Sequence, residues 1–203
     1  MQAALAIVTV AAIVVYVALG LSAQLLTPGY DTLSMGASAL AVGPHGRLMK
    51  AGFVARGAAA LALVAALVLA LPRGARSPVG EALIVVWGAG AIVLALFDTD
   101  MPGGPRTRHG AVHALVAALA YIAVAVGELL VALRFGGDPA WRPLAPWAVG
   151  LAIAVLVALV AQFAAFSAAT RSMTQGLGRY GGLMQRVFLG LALGWMVVVA
   201  LRV

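Results

Sequence analysis

His109 and His113 stand four residues apart at the start of an apolar stretch. On a helix that spacing projects both imidazoles from one face. Upstream, Asp98 and Asp100 close the preceding apolar stretch, and a short Pro/Gly turn, Met101 to Pro105, folds them back toward the histidines. Two carboxylates beside two imidazoles form a ligand set suited to Zn or another divalent metal, and the same groups suit acid–base work. Asp31 adds a further carboxylate at the same end of the chain's layout. Plainer roles fit as well: a histidine at a helix start is often only interfacial, and Asp-Thr-Asp can stop one helix and cap the next turn. Haem fits poorly, because two histidines on one face of one helix cannot ligate a single iron from opposite sides.

Arg56 is the second notable residue, set among Val54-Ala55 and Gly57-Ala58-Ala59. A charge at that depth costs at least ~2.5 kcal/mol to insert and usually faces a polar interior. Gln162, Gln185 and Arg186 point to the same end, so a polar cavity lined from several helices is expected. In it Arg56 and Arg186 would bind an anionic headgroup or stabilise developing negative charge. Alternatively, Arg56 snorkels to the interface or ties itself to Asp98 or Asp100. Glu128 lies about 22 Å along its helix from His113. It is expected to pair with Arg134 or with an arginine of the loop after the second helix.

The elements that must position these groups follow from composition. The chain has 203 residues, 64% hydrophobic and 9% charged, with a mean hydropathy of +1.09. Soluble domains are roughly half apolar and a quarter charged, so a water-soluble globular enzyme is excluded. About 20 apolar residues cross a bilayer as helix, and six such stretches can be marked. They run near 3–21, 48–71, 79–97, 110–133, 144–168 and 183–201, predicting an all-α bundle of six transmembrane helices in one domain over 1–203. The three longer connections, 22–47, 98–109 and 170–182, share one face, with His45, His109, His113, Asp31, Asp98 and Asp100 on or near it. In the first of them Asp31 or Thr32 can cap a short interfacial helix carrying Leu33, Ala37 and Leu40 on one side.

Further classes are closed off. There is no cysteine, hence no disulfide, thiolate metal site or iron–sulfur cluster. The net charge of +7 is scattered over loops and helix ends, which fits anionic lipid headgroups and makes nucleic acid an unexpected partner. The first 46 residues contain no Lys or Arg, so the N-terminal stretch reads as a retained span and not as a cleaved signal. Loop cations divide almost evenly between the two faces, leaving orientation open. No Walker loop, dinucleotide fingerprint, His-Glu-x-x-His helix or nucleophile elbow occurs.

The segments facing the longer loops can be set side by side: Tyr30-Asp31-Thr32-Leu33-Ser34, Gly43-Pro44-His45-Gly46-Arg47, Phe97-Asp98-Thr99-Asp100-Met101-Pro102-Gly103, Arg108-His109-Gly110-Ala111-Val112-His113 and Gly182-Leu183-Met184-Gln185-Arg186. In this order the chain resembles, over nearly its whole length, the bacterial membrane family catalogued as domain of unknown function 998. The resemblance implies a six-helix bundle and stresses Asp31, Asp98, Asp100, His109, His113 and Arg186, but implies no reaction. A thinner likeness, in the His-x-x-x-His and aspartate set alone, links it to the intramembrane zinc hydrolases that include alkaline ceramidases and adiponectin-type receptors. The expectation is thus a protein of the bacterial cytoplasmic membrane acting, with or without a divalent metal, on a membrane lipid or other hydrophobic substrate. The alternative is a non-catalytic accessory subunit or lipid-binding scaffold, with a small-molecule or proton carrier third.

Overall fold

In a computed structural model, described here for residues 1–101 and 103–203, the apolar stretches form six α-helices. These are α1 (Gln2–Leu25), α2 (Gly46–Ala70), α3 (Pro78–Leu94), α4 (Arg108–Ala132), α5 (Ala145–Ala169) and α6 (Gly181–Ala200). Short 3-10 turns at Ala37–Ala41, Arg73–Ala75, Phe135–Gly137 and Gly176–Tyr180 lie in the connections, and the described residues contain no strand. In lipid a backbone must satisfy its own hydrogen bonds, which an α-helix does internally. Five of the six helices are long and apolar enough to cross a membrane, whereas α3 has 17 residues and falls short of that length.

Local chemistry sets the helix ends. Ser77 and Thr107 each accept a hydrogen bond from the backbone N–H three residues on, and Pro78 occupies the first position of α3, where a missing N–H costs nothing. Each helix packs on the next, and α6 returns to α1. Hydrophobicity no longer drives association between helices in lipid, so packing relies on close approach at small residues. Around α3 that approach is made by glycine pairs. A Cβ on Gly57 would lie 2.6 Å from the carbonyl oxygen of Gly88, and a Cβ on Gly80 would lie 2.9 Å from that of Gly127.

The expected interfacial helix does not form as such. Asp31 Oδ1 accepts from the Leu33 amide at 3.0 Å and Oδ2 from the Ser34 hydroxyl at 2.6 Å, closing a turn, and the following 3-10 turn carries Leu40 into the core. Contacts to α6 hold this segment down: the Leu183 amide donates to Leu33 O at 2.9 Å, and the Ala37 amide donates to Gln185 Oε1 at 2.7 Å. Those backbone groups would otherwise have been available for a longer helix.

Candidate functional site

Three of the expected metal ligands are absorbed into structural ties. Asp98 Oδ1 makes an ion pair with Lys50 of α2 at 2.6 Å, without the angles of a hydrogen bond. Asp100 accepts from the Thr107 amide at 3.2 Å and from its hydroxyl at 2.7 Å, and Thr107 in turn caps the Gly110 amide at 2.9 Å. A side chain at 110 would collide with the Asp100 carboxyl, which accounts for the glycine there. His109 is exposed and lies against Phe97, ring centroids 5.3 Å apart. His113 is 4% exposed and turns inward, its Nδ1 2.7 Å from the carbonyl of Phe97. Among the described residues no three His, Asp or Glu groups come close enough to hold a metal ion. Asp98, Asp100, His109 and His113 are therefore neighbours in the chain that do not converge, and the donor set does not fit a divalent metal. Pro102, part of the expected turn, lies outside the described residues.

Because a carbonyl can only accept, the His113 Nδ1 carries a proton, and in the neutral ring Nε2 is then the acceptor. That ring also packs toward Phe53, at 6.4 Å between centroids.

Arg186 has a different part from the one expected. Its Nη1 donates to the carbonyls of Thr32, Met35 and Gly182 at 2.9 to 3.1 Å, and Nη2 donates to the Tyr30 hydroxyl at 2.6 Å. It clamps the first long loop onto α6. Burial pushes the Tyr30 hydroxyl above its ordinary pKa, with the Arg186 hydrogen bond and charge opposing that rise. Gln185 beside it bridges from the Ala37 amide to the Tyr121 hydroxyl, donating to the latter at 3.2 Å.

Arg56 and Gln162 are buried members of the expected set left without such a role. Arg56 is 1% exposed and lies ten residues, about 15 Å, along α2 from Gly46. Three aromatic rings enclose the guanidinium, with Cζ 5.4 Å from the Tyr16 and Phe53 centroids and 5.5 Å from that of Trp87. The tie to Asp98 or Asp100 does not occur: the ion pairs found among the described residues are Lys50–Asp98 and Arg76–Glu81. Its Nε has no hydrogen-bond partner, and neither does the Trp87 Nε1 beside it. The Tyr121 hydroxyl comes near enough to feel the charge, as does His113. Gln162 on α5 is 2% exposed, and its Oε1 is also unpartnered. The interior thus holds a cation and several donors and acceptors that the protein leaves unmatched.

The caging residues Tyr16, Phe53 and Trp87 are not legible as a site in the sequence. One trace was present: Phe53 and Arg56 fall on one face of α2, at i and i+3. Glu128 also departs from expectation. It is fully buried near the opposite end of α4 with both carboxyl oxygens unpartnered, while Arg134 donates to the Gly74 carbonyl and Arg76 grips Glu81. Arg134 lies in the turn beyond α4 and reaches sideways to the α2–α3 loop, away from the helix interior.

No curated protein matches this chain, and no solved structure matches it either. A family model described as protein of unknown function (DUF998) matches residues 10–202, nearly the entire bundle that builds the Arg56 cage. The chain belongs to the DUF998 family.

Proposed function

We propose that this protein takes up an anionic, membrane-soluble molecule and holds its charged group on Arg56 inside a bundle in which all six helices, α3 included, cross the membrane. The observation that carries this reading is the buried Arg56, caged by three aromatic rings and matched by no carboxylate among the described residues. Burying an unpaired charge with unmet donors is costly, so a chain that retains one gains from a ligand that supplies the missing anion. Aromatic faces orient a cation and exclude water without neutralising it. The helical architecture, in contrast to a barrel, suits a bacterial cytoplasmic membrane, to which we assign the protein. Membrane lipid is then both its solvent and the source of its ligand.

His113 supports a second reading, in which the bound molecule is also turned over. The His113 ring on α4 is close enough to Arg56 on α2 to feel its charge, so a general base and an electrostatic stabiliser share one region of the bundle interior. The chemistry would need no metal. An accessory or scaffold role would keep the cage and dispense with that base.

The test is ligand binding to the purified full chain and to Arg56→Met, with co-purified lipids identified by mass spectrometry. Anionic amphiphiles should accompany the wild type and be missing from the variant. Equal anionic lipid in both would refute the reading. His113→Gln separates the two versions, since it should spare binding and abolish any turnover.

A further inference from the structure

A groove of about 200 Å³ runs between α1, α2 and α6. Its walls are apolar, formed by Val17, Leu21, Leu40, Met49, Leu189 and Leu193. Val17 and Leu21 are 44% and 54% exposed, so its rim lies on a surface of α1 that lipid would cover. Two features connect it to Arg56. Met49 in its floor shares a face of α2 with Phe53 and Arg56, at i, i+4 and i+7, so the floor leads along the helix toward the guanidinium. Tyr16 lines the groove, and its ring also packs against Arg56.

We infer that the molecule taken up is a single-chain fatty carboxylate, its alkyl tail in this groove and its head turned past Tyr16 onto Arg56; this rests on the anion-binding reading above. Charge balance selects a monoanionic head, of which a carboxylate is the simplest. One carboxylate neutralises one arginine, whereas a phosphate monoester brings roughly −1.5 to −2 and would leave a net negative charge buried. A carboxylate also accepts two parallel N–H bonds from a planar guanidinium. The other cation on the groove, Arg186, is already committed to three carbonyls and the Tyr30 hydroxyl, so it does not compete for the head. One narrow apolar groove matches one chain, not the paired tails of a diacyl lipid.

Gly190 lies on the groove wall, and a Cβ there meets nothing within 4 Å, so a larger side chain can fill the space without displacing a helix. Palmitate carrying a diazirine near its methyl end would be photocrosslinked to the full chain in detergent and the adducts mapped by mass spectrometry. Butyrate, a head without the tail, would be titrated in parallel through intrinsic tryptophan fluorescence, to which Trp87 beside Arg56 contributes. Adducts on α1 and α6 lining residues are expected. Gly190→Phe should cut palmitate crosslinking about tenfold or more, the effect of expelling roughly two methylenes from an apolar wall, and leave the butyrate response intact. Gly190→Leu serves as a milder filler with the same expected sign. Unchanged crosslinking in both variants, or adducts scattered over α3 to α5, would overturn the tail assignment while the Arg56 site stands. If Arg56→Met alters neither probe, the anion site itself fails and this inference falls with it.

Discussion

Replacing Arg56 by methionine should make the ligand-free protein more stable while removing its ligand. Methionine keeps the long unbranched stem and can fill the space among Tyr16, Phe53 and Trp87, with a thioether that packs well on aromatic rings. The loss is the cation–π attraction of one guanidinium shared among three rings, about 2 kcal/mol or more when desolvated. The gain is relief of a buried cation with no counter-charge and an orphaned Nε, where each unmet group costs about 1–3 kcal/mol and the unpaired charge more. Replacement of buried charges by well-packed apolar groups has stabilised other proteins by about 1–4 kcal/mol, and a value at the lower end is expected here. For a chain of this size that corresponds to a Tm rise of roughly 2–8 °C. The assay is thermal unfolding in detergent without added amphiphile, followed by tryptophan fluorescence and paired with ligand binding. A structural arginine behaves oppositely, since breaking a buried tie costs about 3–5 kcal/mol. A fall in Tm of several degrees in delipidated Arg56→Met would therefore refute the reasoning.

Arg186→Gln should free the first long loop from α6, because four charge-assisted hydrogen bonds leave with the guanidinium. Limited proteolysis within 30–36 should accelerate markedly, with a stability loss of about 2–3 kcal/mol for the clamp. The Asp31 carboxyl is held below the ordinary carboxylate range, chiefly by the Ser34 hydroxyl and then by the Leu33 amide. A depressed folded pKa means that the turn's contribution is complete above an unfolded value of about 4 and is lost as pH falls through the lower folded value. Protection of the Leu33 amide from hydrogen exchange, relative to its intrinsic rate at each pH, should fall across that acid window, and Asp31→Asn should flatten the dependence. Gly57→Val should force α2 from α3, because its Cβ would sit 2.6 Å from the Gly88 carbonyl oxygen. A cost of at least about 1–3 kcal/mol and loss of a monodisperse species in size-exclusion chromatography are expected.

The membrane class, the six apolar helices and the depth of Arg56 were all readable from the residues in order. Hydropathy and helix formation are local: each helix satisfies its own backbone, and a run of Ala, Val and Leu announces a span whatever lies beside it. Predicted and observed helix ends agree to within a few residues, with Ser77, Pro78 and Thr107 marking two of them. Partnership was another matter. Spacing placed His109 and His113 on one side of α4, yet it could not show that Phe97 offers a carbonyl to one and a ring to the other. Nor could it show that Lys50 of α2 would claim Asp98, that a helix cap would use both oxygens of Asp100, or that Arg186 would be spent on a loop. Those outcomes depend on how each helix is rotated against its neighbours, which in lipid is decided by the close fit of residues such as Gly57 with Gly88 and Gly80 with Gly127. Contacts of that kind join residues far apart in the chain. The sequence therefore determined that a charge would lie inside an apolar helix, and only the packed bundle decided that aromatic rings, with no carboxylate found among them, would surround it.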